Sequence, residues 1–247
     1  MDLMDSQFWL AVPQIIAIDI LLGGDNAVVI ALACRKLPLH QRKKGIAWGV
    51  VGAIGLRIVL IFFALQLLAL PYLKVVGALL LLWIGVKLLQ PEEEGGGHAR
   101  IEGSTNLLEA IRTIIVADAV MSLDNVIAVA GAAKGHMGLV IAGILISIPI
   151  IVWGSRLVLR LMDRFPVVIT LGGGLLGWIA GGMIVTDVKV QPWLAGTPDW
   201  LHYAVSAVGA LLVVAVGTLL ARRRAAVAAP LADLAAEKSP PQLSDNP

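Results

Sequence analysis

The residues with the most chemistry in this chain occur as one pattern written twice. The first copy reads Asp19-Ile20-Leu21-Leu22-Gly23-Gly24-Asp25-Asn26 and the second reads Asp118-Ala119-Val120-Met121-Ser122-Leu123-Asp124-Asn125. Both lie inside long apolar runs. An ionised carboxylate in a bilayer core costs at least about 2.5–3.5 kcal/mol on insertion scales, so four of them need compensation. In a helix turning by about 100° per residue, the first Asp and the Asn share a face and the second Asp sits a quarter-turn away. All three can therefore face one cavity. Gly23-Gly24, with Ser122 at the corresponding place in the second copy, would ease a kink or an unwound turn, and broken helices can offer carbonyl oxygens to a cation.

Carboxylate and amide oxygens, with no Cys or His in either segment, suit hard cations such as Mn²⁺, Ca²⁺ or Mg²⁺ better than Zn²⁺ or Cu⁺. The candidate metal ligands are Asp19, Asp25, Asn26, Asp118, Asp124 and Asn125. Arg57 and Arg156 lie in the following apolar runs and are candidates for charge balance. Pairing them with two carboxylates leaves a net charge near minus two, which one divalent cation would offset, although protonation would achieve the same neutrality. Met121 reads as an apolar core residue. The competing structural reading is a set of buried ion pairs that fixes helix packing. It carries less weight because the layout occurs twice and buried charges are a poor source of stability.

The elements that must hold these residues follow from composition. The 247 residues are 58% hydrophobic and 15% charged, far from a soluble domain and well inside the membrane class. A hydrocarbon core of about 30 Å needs roughly 20 apolar residues per helix. Such runs fall at about 8–33, 45–68, 70–90, 107–133, 137–160, 166–187 and 200–221. The expected fold is therefore an all-α integral membrane protein with seven transmembrane helices. The first run has no basic residue before it and is expected to be retained as a span.

Sorting Lys and Arg by side places Arg35, Lys36, Arg42, Lys43, Lys44, Lys87, Arg100, Arg112, Arg160, Arg164, Arg222, Arg223, Arg224 and Lys238 inside, and leaves Lys74, Lys134 and Lys189 outside. This asymmetry predicts the N-terminus outside and the C-terminus in the cytoplasm.

The two acidic patterns belong to longer repeats. A shift of 99 positions aligns Asp19, Asp25, Asn26, Gly55 and Arg57 with Asp118, Asp124, Asn125, Gly154 and Arg156. After a short deletion, a shift of 95 aligns Pro71, Gly77, Trp83 and Ile84 with Pro166, Gly172, Trp178 and Ile179. Three spans per copy is an odd number, so the second copy enters the membrane from the opposite side. Inverted repeats bring equivalent residues towards a shared midplane. The expected organisation is a first three-helix repeat (1–90), a cytoplasmic linker (91–106), a second, inverted three-helix repeat (107–187), an external link with the seventh helix (188–221) and a disordered cytoplasmic tail (222–247).

The remaining features have plainer readings. Cys34 is a lone cysteine with no disulfide partner and reads as a small buried residue. His98 beside Glu92–Glu94 lies in a solvated Gly-rich linker, and His40 in a solvated basic loop. Gly172-Gly173-Gly174 lacks the Lys-Ser/Thr of a phosphate loop and is explained by close helix packing. Trp9, Trp193 and Trp200 read as interface anchors. A formal charge of +2 gives no indication of nucleic acid as a partner.

Gly24-Asp25-Asn26-Ala27-Val28-Val29-Ile30-Ala31 and Ser122-Leu123-Asp124-Asn125-Val126-Ile127-Ala128-Val129-Ala130 resemble the paired signatures of the TerC family, and the seven-span layout resembles its YjbE-like branch. The resemblance covers about residues 8–221. It implies a bacterial plasma-membrane (inner-membrane) protein of a family named for tellurium resistance, with members implicated in manganese export. It also implies that the acidic and amide positions of both copies are the functional ones.

The expected function is then a secondary transporter exporting a divalent metal, Mn²⁺ foremost. Its partners are the bilayer and the transported cation, with protons as candidate counter-ion and no permanently bound cofactor. A homo-oligomer is a candidate assembly. The alternative is a non-transporting membrane scaffold or accessory protein in metal stress. Paired aspartates on adjacent helices also describe intramembrane proteolysis. An Asp plus an Asn duplicated in inverted halves suits a symmetric ion site better, so no enzymatic activity is expected. No nucleotide-binding motif is present in the sequence to drive pumping.

Overall fold

Apolar runs of this length become helices in a bilayer because no water is available to the backbone, and a helix satisfies its own N–H and C=O groups. The computed structural model describes the backbone of residues 24–63, 66–67, 70–90, 102–132 and 137–237, and the side chains there except at 102–106, 124–144 and 224–237. The helices are α1 (24–35), α2 (Leu39–Phe62), α3 (Leu73–Leu89), α4 (Glu102–Ala132), α5 (Met137–Arg164), α6 (Val167–Val185) and α7 (Trp200–Glu237), with a short 3₁₀ turn at Gln191–Leu194. No strand occurs among the described residues. The segments Leu39–Phe62, Leu145–Arg164, Val167–Val185 and Trp200–Arg223 are each long and apolar enough to cross a membrane. Residues 1–23, the Glu92–Glu94 stretch and His98 lie outside the described residues.

Helix ends differ from the apolar runs in an instructive way. The α2 helix starts at Leu39 after Pro38 and takes in His40, Arg42, Lys43 and Lys44, which the hydropathy reading leaves in a loop. Its continuous part ends at Phe62, residues 66–67 are again helical, and the expected limit at 68 lies outside the described residues. The α4 helix starts at Glu102, ahead of the expected 107. The α7 helix continues past Arg222-Arg223-Arg224 to Glu237, where a disordered tail was expected. Its extension is rich in Ala and Leu, both strong helix formers, and hydropathy marks where lipid ends, not where a helix must.

Packing depends on small residues, because lipid tails supply no hydrophobic drive for helices to associate. The α2 and α4 helices meet where Gly45 and Gly49 leave room for Leu107 and Ile114. Gly172 of α6 lies against Val28 and Leu32 of α1, and Gly173 against Leu89 of α3, as the expected close packing of this triplet requires. The closest approach is between α6 and α7. A Cβ on Gly177 would run into the Gly209 carbonyl, and one on Gly181 would sit 2.5 Å from the Val205 carbonyl oxygen and 2.6 Å from Ser206 Cα.

The ends of α3 are held by charge. Asp187, buried just beyond α6, accepts the backbone N–H of Tyr72 at 3.3 Å, of Lys74 at 3.1 Å and of Lys189 at 2.9 Å. Tyr72 has a left-handed backbone (φ 62°) and opens α3. At the opposite end, Arg35 donates to the Leu88 and Gln90 carbonyls at 3.1 and 3.3 Å, and Lys36 donates to the Lys87 carbonyl at 3.1 Å. An anion at the N-terminus and cations at the C-terminus match the helix macrodipole.

The same basic end gathers the Arg42–Asp163 ion pair at 2.7 Å and the Lys87–Glu109 pair at 2.5 Å. Residues Arg35, Lys36, Arg42, Lys87 and Asp163, far apart in sequence, thus meet at one end of the bundle, with Lys74, Asp187 and Lys189 at the other.

Glycine-dependent packing gives a direct test. Gly181→Val is expected to lower stability by about 1–3 kcal/mol, as overpacking against unyielding backbone does. Gly55→Ala, where an added Cβ meets nothing within 4 Å, should leave it unchanged or slightly raised. Thermal unfolding of both variants in one detergent checks the contrast.

Candidate metal site

Asp118 lies in the interior of α4, and Ser122 follows it by four residues, so both share one helix face. That face meets α2 at Arg57. The guanidinium Nη2 lies 2.5 Å from Asp118 Oδ1 and Nε donates to Ser122 Oγ at 3.1 Å, while the Ser122 hydroxyl donates to Asp118 Oδ2 at 3.3 Å. The Arg57 and Asp118 side chains are each 8% exposed. Buried charges persist only when paired and hydrogen-bonded, and this triangle supplies both conditions. Ser122 lies in unbroken helix, so the backbone there is not an unwound turn. It sits within α4, which is helical from Glu102 to Ala132, and it ties the arginine to the aspartate.

The α1 helix contributes Asp25 and Asn26. The half-buried Asp25 lies within electrostatic reach of both Arg57 and Asp118. Its Oδ1 accepts the Asn26 backbone N–H at 2.9 Å. Asn26 is 3% exposed, and neither its side-chain oxygen nor its nitrogen has a hydrogen-bond partner among the described residues. An amide offers two donors and a carbonyl acceptor, and leaving such a group buried and unmade costs about 1–3 kcal/mol. An amide oxygen beside a carboxylate is a ligand pair suited to a hard cation.

The sequence-derived site residues thus separate into groups. Arg57 and Asp118 meet between α2 and α4, Asp25 of α1 lies within their electrostatic reach, and Asn26, the next residue of α1, is buried. Asp19 lies outside the described residues. Asp124 and Asn125 lie on α4, one to two turns beyond Asp118, and their side chains lie outside the description. Arg156, the repeat partner of Arg57, is exposed on α5 and not in this junction. Among the described residues, no three His, Cys, Asp or Glu side chains are grouped to hold a metal by themselves.

Sequence reasoning missed the role of Ser122 as a bridge and of Asp187 as the cap of α3. For Ser122 the signal was its i, i+4 spacing from Asp118. For Asp187 it was a carboxylate placed directly after an apolar helix. Cys34 is fully buried, as expected of a lone apolar-run cysteine.

A bundle of apolar helices, several of bilayer length, with an arginine–aspartate pair sequestered in its interior defines a polytopic integral membrane protein. The particular kind is settled by comparison over nearly the whole chain. Residues 4–225 match the family described as integral membrane protein TerC family, and the chain belongs to it. It is 44% identical over 200 residues to the uncharacterized membrane protein YjbE of Bacillus subtilis, covering 80% of this chain and 90% of that one. It is 28% identical over 185 residues to the uncharacterized membrane protein YceF of B. subtilis, covering 72% of each chain. The inner membrane protein YgdQ of Escherichia coli is 26% identical over 177 residues, covering 66% of this chain and 74% of that one. No solved structure matches the chain significantly.

The buried triangle predicts strong coupling between its members. Arg57→Met or Asp118→Asn alone is expected to cost about 3–5 kcal/mol by stranding the remaining charge or donor. The double variant should cost clearly less than the two single losses added together. Equilibrium unfolding in mixed micelles measures the cycle, and additivity would show that the pair contributes no coupling.

Proposed function

We propose that this protein is a secondary transporter that exports a divalent cation, Mn²⁺ foremost, from the bacterial cytoplasm. The observation that carries the reading is the buried Asn26 amide, without a partner among the described residues, adjacent in the chain to Asp25, which lies within electrostatic reach of the Arg57–Asp118 pair. A buried amide left without a partner costs stability, and an oxygen-coordinated cation would satisfy it. Hard oxygen donors select Mn²⁺, Mg²⁺ or Ca²⁺ over softer metals, and the choice of manganese within that group rests on kinship with the TerC family. Asp19, Asp124 and Asn125 would complete the ligand set from the two copies of the signature.

In this reading the cation enters from the cytoplasmic end, where the basic residues gather. Asp25 and Asn26 supply a carboxylate and an amide oxygen, and Arg57 with Ser122 holds Asp118 in a fixed orientation. Seven spans, arranged as two inverted three-helix repeats with the N-terminus outside, would rock about the site to expose it alternately. Protons taken up by the emptied carboxylates serve as counter-ions. The protein then needs no resident cofactor and catalyses no covalent step.

Purified protein in liposomes tests this directly. Mn²⁺ flux is expected from the wild type and is expected to be lost in Asp25→Ala and Asn26→Ala. Ser122→Ala should reduce it on the order of tenfold, as changes one shell out from a metal do. Full flux in both α1 variants would remove the assigned site. No flux from correctly folded wild type, together with a stable protein partner recovered from cells, would favour a scaffold in metal stress.

A further inference from the structure

The basic end of the bundle holds a cavity of about 380 Å³ between the C-terminus of α3, the N-terminus of α6 and the far turns of α7. Its lining includes two arginines, Arg35 and Arg222, two threonines, Thr170 and Thr218, and the apolar Leu89 and Ile169. None of the described lining residues is acidic. Arg35 is seated by the carbonyls of Leu88 and Gln90, so one cation is fixed in position by the same bonds that cap α3. The α6 helix points its positive end here and has no acidic residue in its first turn, which adds a favourable field for an anion.

Depth identifies the anion. Arg222 follows Trp200 by about 33 Å of helix, close to the hydrocarbon thickness of about 30 Å. With the exposed Trp200 as the opposite interface anchor, Arg222 lies at headgroup level. Beside the cavity, one residue from the lining Thr170 and Thr218, α6 and α7 expose Leu171 and Leu219, 66% and 57% accessible, an apolar surface for acyl chains. A soluble anion would use the arginines and hydroxyls but not this apolar continuation.

We propose that this cavity binds the phosphate headgroup of an anionic phospholipid, with the phosphate between Arg35 and Arg222 and a hydroxyl contact from Thr170. Basic pockets between transmembrane helices on the cytoplasmic side are suited to such headgroups. Guanidinium groups bind phosphate oxygens in pairs and with direction. The site joins α1, α3, α6 and α7, so an occupied cavity strengthens the bundle at its basic end. It depends on the membrane class of the protein alone and is independent of what the protein transports.

The test is thermal unfolding of the purified protein in a neutral detergent with added phosphatidylglycerol, with phosphatidylcholine of the same acyl chains, and with inorganic phosphate. Phosphatidylglycerol is expected to raise the unfolding temperature by several degrees, and the other two are expected to have little effect. Arg222→Gln should lose most of that shift and retain fewer bound lipids in native mass spectrometry. Arg223→Gln, its exposed neighbour that does not line the cavity, should keep both. Because Arg222 is exposed, the lipid-free unfolding temperature of Arg222→Gln should match the wild type and separate lost binding from lost fold. Equal loss in both arginine variants would reduce the effect to diffuse charge and overturn the site. An equal shift with phosphatidylcholine, or with inorganic phosphate, would overturn the assignment to an anionic lipid.

Discussion

A charge carried into hydrocarbon has to bring its own solvation, and the interior of this bundle is arranged around one such charge. Arg57 reaches Asp118 across the α2–α4 contact, and Ser122 satisfies a further donor and acceptor within hydrogen-bond distance of both. Pairing fixes the rotation of α4 relative to α2, since a turn of either helix would expose an unpaired charge to lipid at a cost of several kcal/mol. It also sets the polar junction that α1 approaches with Asp25. The small residues along α2 follow from the same demand. Gly45 and Gly49 let α4 come close enough for a side chain of arginine length to find its partner without a cavity around it.

Away from this junction the bundle is held by matching helix ends to charges supplied by other helices. Asp187 answers the N–H groups that open α3, and Arg35 and Lys36 answer the carbonyls that close it. The cations lie at one end with Arg42 and Asp163, so the residues that orient the protein in the membrane also tie its helices together. Interior contacts between α6 and α7 then need only backbone approach, which Gly177, Gly181 and Gly209 permit.

Much of this was legible in the chain and some was not, for physical reasons. The membrane class and the need for a counter-charge at a buried carboxylate, which Arg57 supplies to Asp118, follow from a single fact, the cost of ionised groups in lipid. The glycine triplet of α6 was readable as packing for the same kind of reason. Arg156 was grouped with Arg57 by repeat position, but equivalence in sequence does not carry equivalence of surroundings, and its side chain is exposed. Asp187 and the Arg35 contacts were invisible because their partners are 113 and 53 residues away, a distance no local pattern encodes. Helix limits were misjudged where helix formers carry a helix beyond the apolar run, polar ones at Leu39–Lys44 and Ala and Leu beyond Arg224.

The double clamp on α3 has a mechanical consequence. A helix bonded at both ends to different neighbours has lost one of its freedoms: sliding along its axis by one turn, about 5.4 Å, would break the bonds from Tyr72, Lys74, Arg35 and Lys36 together. Pivoting about those fixed ends breaks none of them. Displacement of α3 against α1 and the end of α6 is therefore easier as a hinge motion about these points than as translation.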